Sequence, residues 1–411
     1  MINSGDTVFV LLSAALVLIM TPGLAFFYGG MVRRKNILST LMQCFTIMCV
    51  ISLQWVIYGY SLAFGPDAGG GVIGSFAWMG LQNVGAEPNA DYAATIPHQA
   101  FMIFQAMFAI ITPALIIGAF AERIKFSSFL IFTLLWSTFV YDVIAHWVWG
   151  TGGWLKDLGA LDFAGGIVVH VSSGISALVM ALLMGKRVGY GERAFPPHNL
   201  PFTVLGGALL WFGWFGFNAG SALAAGGLAT AAFVNTNTAA AAAGLTWALI
   251  EWQFHGSPTV LGAVTGAVAG LVAITPACGF VGPMSAIPIG ILVSVFCYIA
   301  VTKMKPMFKF DDSLDAFGVH AIGGIWGTLA TGLFADKVIN AAGSNGLFLG
   351  NPRQFLVQAL LVVAPVAYAV TVTFIIYKFV DVLIGMRVTE NDELIGLDLT
   401  QHKEAAYTVL E

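Results

Sequence analysis

Two histidines and one aspartate are the residues of this chain best placed to do chemistry. His170 and His320 each lie inside a long apolar stretch, and Asp162 stands at the start of the first one. They share a pattern. Asp162, His170 and Gly174 follow D-x7-H-x3-G with Val169 before the histidine, and Asp312, His320 and Gly324 repeat it with Val319 in the same place. An ionisable side chain at membrane depth is costly and marks function by default. Two neutral imidazoles can hydrogen-bond to each other, one donating and one accepting, and such a pair can line a narrow path and pass protons. Alone, either histidine would read as a satisfied core residue; the symmetric pair reads as functional. Asp162, beside Gly165 and Gly166, is placed to cap a helix N-terminus. Its charge would also raise the local preference for cations.

Aromatic residues are the third chemical element. Phe104 and Phe108 are one helical turn apart, Trp211, Trp214, Phe215 and Phe217 crowd one stretch, and Trp147, Trp149 and Trp154 cluster in another. Most would face lipid or form an interfacial belt, while a subset could cage a small cation by cation–π attraction. Spacing does not select that subset. Metal or hydrolytic chemistry would need a third strong ligand or a nucleophile beside its base. Neither stands out, so no metal, cofactor or enzymatic activity is expected. The four cysteines (Cys44, Cys49, Cys278, Cys297) lie in apolar stretches without metal spacing and read as small core residues.

The elements that must hold these residues are membrane spans. Of 411 residues 58% are hydrophobic and only 9% charged, with a mean hydropathy of +0.86. A soluble domain carries roughly a quarter charged residues, so the bilayer is the solvent that suits this chain. The net charge of −4 gives no sign of nucleic-acid binding. The start of the chain lacks a basic n-region and a cleavage site and reads as the beginning of the first span. Eleven apolar stretches are long enough to cross, near 7–31, 41–64, 98–121, 127–146, 163–184, 200–218, 227–250, 258–276, 284–303, 313–335 and 353–385. The Gly- and Ala-rich seventh is the least distinct.

Basic residues set the expected orientation. Fourteen of the 17 fall in one set of loops and the C-terminal end, leaving Lys156, Lys337 and Arg353 opposite. The positive-inside rule then puts the N-terminus outside and the C-terminus in the cytosol, which requires an odd number of spans. Ile111-Thr112-Pro113-Ala114 recurs as Ile274-Thr275-Pro276-Ala277, five spans after its first copy, as the histidine motif does. Five is odd, so the two copies must be inverted. The expected fold is therefore an all-α integral membrane protein of eleven transmembrane helices: two inverted five-helix repeats, with a pathway between them, plus a final long helix. Residues 1–386 form the membrane domain and 387–411 a cytosolic tail.

The segment from Asp162 to His170 followed by Gly-Lys-Arg-Val-Gly-Tyr-Gly (185–191) resembles the signature of the ammonium transporters of the Amt/Rh family, in its Amt branch. So do Pro22–Gly30, Gly118–Arg123, Trp214–Ser221, Thr275–Gly279 and Phe317–His320, in order along residues 8 to 407. The resemblance implies a plasma- or inner-membrane homotrimer with one pore per subunit, carrying ammonium or ammonia in a lipid surrounding. It implies that Trp149, Phe108 and Ser221 recruit ammonium outside, with Phe104 nearby and Asp162 in support. It further implies that Phe108 and Phe217 close the entrance, that His170 and His320 line the pore, and that Trp214, Asn218 and Thr275 stand around it. Transport would be electrogenic, with the proton travelling separately. A sensor of the same fold, with little transport, is the alternative, and an Rh-type gas channel is disfavoured by Trp149 and Ser221. The loop from Trp149 to Asp162 is one residue longer than a common family version. The tail resembles the family's subunit-linking tail, which helps regulation by PII-type proteins, but has Lys403 where glycine is frequent. A solvated terminus is the other reading for 387–411.

Overall fold

The computed structural model describes residues 1–407; positions 408–411 of the expected tail lie outside the described residues. The chain is helical throughout, with only isolated bridges such as Ile124–Arg387 and no strands among the described residues. The helices are α1 (Ser4–Met31), α2 (Arg34–Phe64), α3 (His98–Phe120), α4 (Phe126–Asp157, broken at 150–153), α5 (Gly166–Met184) and α6 (Leu200–Gly220). They continue with α7 (Gly227–His255), α8 (Val260–Ile274), α9 (Pro283–Phe308), α10 (Phe317–Phe334) and α11 (Pro352–Ile384). Two short tail helices follow, α12 (Glu390–Ile395) and α13 (Leu397–His402).

Among the described residues nine of these are long and apolar enough to cross a membrane. The two others occupy the seventh and eighth expected spans. α7 is 29 residues long, but Asn235, Thr236, Asn237 and Thr238 in its middle lower its hydropathy. α8 is apolar but only 15 residues long. Both pack through small residues: a methyl on Gly270 of α8 would come within 2.6 Å of the Ala239 carbonyl of α7. That close approach suits association in a solvent where hydrophobicity does not drive helices together. Cys49 departs from the expected core position and is exposed, while the other three cysteines are buried.

Five helices contain a widened, π-helical turn: Trp55–Gly59, Ser137–Tyr141, Gly166–Val171, Ala300–Met304 and Phe317–Ala321. Such turns are rare and concentrate at functional sites. Two of them hold His170 and His320. The α4 and α9 turns precede these two by one helix each, as an internal repeat of five would require.

On the side carrying the C-terminus the loops are tied together by buried charges. Glu122 accepts from Arg33 Nε (3.0 Å), Arg187 Nη1 (2.9 Å) and Asn36 Nδ2 (3.0 Å). Asp311 pairs with both Nε and Nη2 of Arg187 at 2.9 Å. Burial opposes the charge on Glu122, but Arg187 and Arg33 outweigh it and hold the carboxyl below its ordinary range. Asp311 is likewise held low against its burial by the hydrogen bonds and charges of Arg187 and Arg123. The tail docks on this platform rather than extending into solvent. Glu393 is 1% exposed and accepts from Val188 N (2.6 Å) and Arg387 Nη2 (2.8 Å). Asp398 accepts from Ser39 N at 2.8 Å.

Candidate functional site: a two-sided cavity closed by stacked aromatics

Asp162 builds the site's entrance from the backbone upward. Its Oδ1 accepts from the N–H groups of Gly165 (2.9 Å) and Gly166 (2.6 Å), and its Oδ2 from Ile167 (2.8 Å) and Val168 (3.2 Å). These are donors that a helix start otherwise leaves orphaned, and an anion there also suits the helix dipole. Gly165 turns the chain with φ +108°, and a Cβ on Gly166 would sit 2.6 Å from the Pro276 ring. The carbonyl of Asp162 accepts from Trp149 Nε1 at 2.8 Å. One residue thus fixes both the first turn of α5 and the indole of Trp149.

Trp149, Phe108, Ser221 and Asp162 line one open cavity on the side opposite the tail. The Phe108 and Trp149 rings meet edge to face with centroids 5.9 Å apart. Ser221 donates to the Phe217 carbonyl at 2.9 Å, leaving its oxygen lone pairs for another donor. Phe104 does not line this cavity. It is fully buried behind Phe108, 5.0 Å away edge to face, and packs against Gly220. Two further liners carried no pattern in the sequence. Gln105, whose Oε1 has no partner, sits between the two predicted phenylalanines. Lys156 donates to the Trp149 carbonyl at 3.0 Å and lies 5.4 Å from the Tyr92 ring; its only sequence signal is being one of three basic residues on that side.

Below this cavity the rings of Phe108 and Phe217 meet with centroids 4.2 Å apart and planes tilted by 32°, both buried. A second cavity begins on the far side of Phe217. It runs past Trp214, His170 and His320 and between Leu24, Ile111, Leu115 and Leu210, and reaches Glu251 and Asp315 on the tail side. His170 and His320 face each other with ring centroids 5.4 Å apart and planes 15° from parallel. The direct hydrogen bond expected between them is not formed. Both nitrogens of His170 and Nδ1 of His320 are unpartnered.

The supporting residues hold the walls. Trp214 Nε1 donates to Thr275 Oγ1 at 2.8 Å, and that hydroxyl donates to the Leu271 carbonyl at 2.7 Å. Trp214 stacks on His170 at 5.3 Å. Asn218 donates to Thr236 Oγ1 at 2.9 Å, which brings the polar middle of α7 against α6. Trp211 and Phe215, from the same aromatic run, turn away from the path: Phe215 stacks on Phe233 at 3.9 Å, and Trp211 lines a groove between α6, α7 and α8.

A bundle of membrane-crossing helices with cavities from both sides, meeting at an aromatic barrier above two buried imidazoles, defines a membrane transport protein. The Ammonium Transporter Family model matches residues 8–407. The chain belongs to that family. It is 54% identical over 403 residues to an ammonium transporter of Bacillus subtilis, covering 98% of each chain. Against ammonium transporter Amt1 of Archaeoglobus fulgidus the identity is 48% over 406 residues, with 99% of this chain and 100% of the relative covered. The fold superposes on the crystal structure of Saccharomyces cerevisiae Mep2 with a TM-score of 0.89 at 37% identity, covering 95% of this chain and 88% of that one. It also superposes on a solved protein described as a sensor Amt protein, with a TM-score of 0.89 at 29% identity and 97% and 98% coverage.

Proposed function

We propose that this chain is an ammonium transporter that recruits the cation outside, takes up its proton and conducts neutral ammonia. The observation that carries this is the close ring pair Phe108–Phe217 between two cavities, with a mostly apolar lumen and two unpartnered imidazoles beyond it. Trp149, Phe108 and Ser221 hold the cation by cation–π attraction and a hydroxyl oxygen. Asp162 acts by fixing Trp149 and the α5 start, since its carboxylate is engaged by four backbone N–H groups. Phe104 acts from behind, by setting the Phe108 ring.

Stripping ammonium of water to enter such a lumen is as costly as stripping potassium, whereas ammonia sheds its water cheaply. Ammonium has that neutral form and potassium does not. The proton passes by His170 and His320, whose free nitrogens can both give and take one, and its movement makes transport electrogenic. Trp214, Thr275 and Asn218 keep the lumen narrow.

In this reading all eleven helices cross the membrane, α7 with Asn235 and Thr236 turned inward, and the basic, tail-bearing side is cytosolic. The molecule is a homotrimer of the cell membrane. The docked tail presents the cytosolic surface on which a PII-type protein would act. A sensor role is the second reading, favoured by the 29% identity to a sensor Amt protein over nearly the whole of both chains.

Uptake of ammonium into sealed liposomes tests the proposal, with wild type and Phe217→Trp compared at equal protein density. Fast uptake by wild type, lost when the larger ring fills the lumen, is the expected result. Uptake no faster than in protein-free liposomes overturns transport and leaves the sensor reading.

A further inference from the structure

We propose that Asp142 is a proton-binding site in the wall of the bundle, closing a cyclic acid–amide pair with Gln54. Asp142 is 0% exposed and follows the widened turn of α4, while Gln54 immediately precedes the widened turn of α2. Neither residue lines the two cavities of the pathway. Gln54 Nε2 donates to Asp142 Oδ2 at 2.7 Å. The other oxygen of each group, Asp142 Oδ1 and Gln54 Oε1, is buried without a partner. An ionised carboxylate against an amide leaves those two buried acceptors without a donor, a costly arrangement in a dry interior. One proton on Oδ1 satisfies both, because O–H then donates to Oε1 while N–H donates to Oδ2. Gly59 makes room for this: a Cβ there would come within 2.6 Å of Gln54 Nε2.

Among the described residues no cation pairs with Asp142. The ion pairs among the described residues all lie elsewhere. The titratable groups on the surrounding elements are engaged or neutral. On α4, Tyr141 has an unpartnered phenol, and His146 is bound to the Ala63 carbonyl at 3.0 Å and Asp67 Oδ1 at 3.2 Å. Tyr60 of α2 and His98 of α3 bond each other at 2.6 Å, and Tyr368 of α11 donates to the Phe139 carbonyl at 2.8 Å. A neutral acid is the form that ties α2 to α4 without burying a lone charge.

Infrared difference spectroscopy of the full-length protein at about pH 8, wild type against Asp142→Asn, tests this. Loss of an un-ionised carboxyl C=O band in the variant is expected; loss of carboxylate bands instead overturns the site. A second readout follows from linkage. The folded state would bind one more proton than the unfolded chain, so the wild-type unfolding constant should rise with pH, by at most about tenfold per pH unit. Asp142→Asn, whose amide can make both bonds, should lose that one-proton slope; equal slopes overturn the proposal. If Asp142→Asn does not fold, Gln54→Leu serves: the acid band should shift to higher frequency as its acceptor is lost, and an unmoved band is the contrary result.

Discussion

The two copies of the aspartate–histidine motif start alike and end differently. In α5, Asp162 accepts four backbone N–H groups, and its carbonyl anchors Trp149 at the cavity opposite the tail. In α10, Asp312 accepts two, from Ala316 (3.1 Å) and Phe317 (2.8 Å). It sits among tail-side charges, where Lys305 donates to its carbonyl and pairs with Asp315. The repeated sequence therefore supplies one device twice: a carboxylate that starts a helix and a widened turn that aims an imidazole inward. What surrounds each copy differs, an aromatic-lined cavity on one side and a charged platform on the other.

Removing the carboxylates breaks this comparison most directly. Asp162→Ala leaves four donors without their anion and should cost roughly 3–5 kcal/mol, with Asp312→Ala costing about half as much. Thermal unfolding in detergent measures both, and equal losses would mean that the two starts are interchangeable. The second repeated string gives a smaller contrast. Thr275 Oγ1 both accepts from Trp214 and donates to Leu271, whereas Thr112 Oγ1 makes one bond, to the Phe108 carbonyl at 2.6 Å. Thr275→Val orphans a buried indole N–H and should cost about 2 kcal/mol, against about 1 kcal/mol for Thr112→Val. The former should also slow transport, through the Trp214 wall beside His170.

Acid separates the two sides further. Glu122 and Asp311 have carboxyls held below their ordinary range by arginines that outweigh burial. Groups of this kind stabilise the folded state above the unfolded value near pH 4, and that contribution is lost as pH falls through the lower folded value. Hydrogen exchange should therefore show residues 387–407 and the loops around Arg33 and Arg187 loosening first as pH drops from about 4 toward about 2. The cavity opposite the tail, which has no such network among the described residues, should hold longer. The smallest effect belongs to Lys403, which adopts a left-handed conformation with φ +58° at the end of α13. Lys403→Gly should stabilise the docked tail by about 1 kcal/mol, read as slower proteolysis of the tail with the membrane helices unchanged.

The spans, the repeat motif and the paired histidines were legible because a polar residue in an apolar run stands out in one dimension. α7 and α8 were harder. Two residues of the polar middle of α7 are satisfied by other elements, Asn235 by the Cys278 and Val281 carbonyls of the α8–α9 turn and Thr236 by Asn218 of α6. The resemblance named Phe108, Phe217 and Trp214, whereas pattern alone could not separate them from Trp211 and Phe215, because helix rotation decides which ring meets the path. Gln105 and Lys156 gave no signal for the same reason. That the two imidazoles lie near-parallel without a hydrogen bond between them depends on ring placement, which spacing does not encode.

The central claim is that the path beyond Phe217 passes ammonia and a proton, not a hydrated or naked cation. Charge movement in reconstituted liposomes tests it, using ammonium and potassium jumps with wild type and with His170→Ala/His320→Ala. A transient current for ammonium alone, abolished or made unselective in the double variant, is the predicted result. A potassium current equal to the ammonium current in wild type would contradict the account.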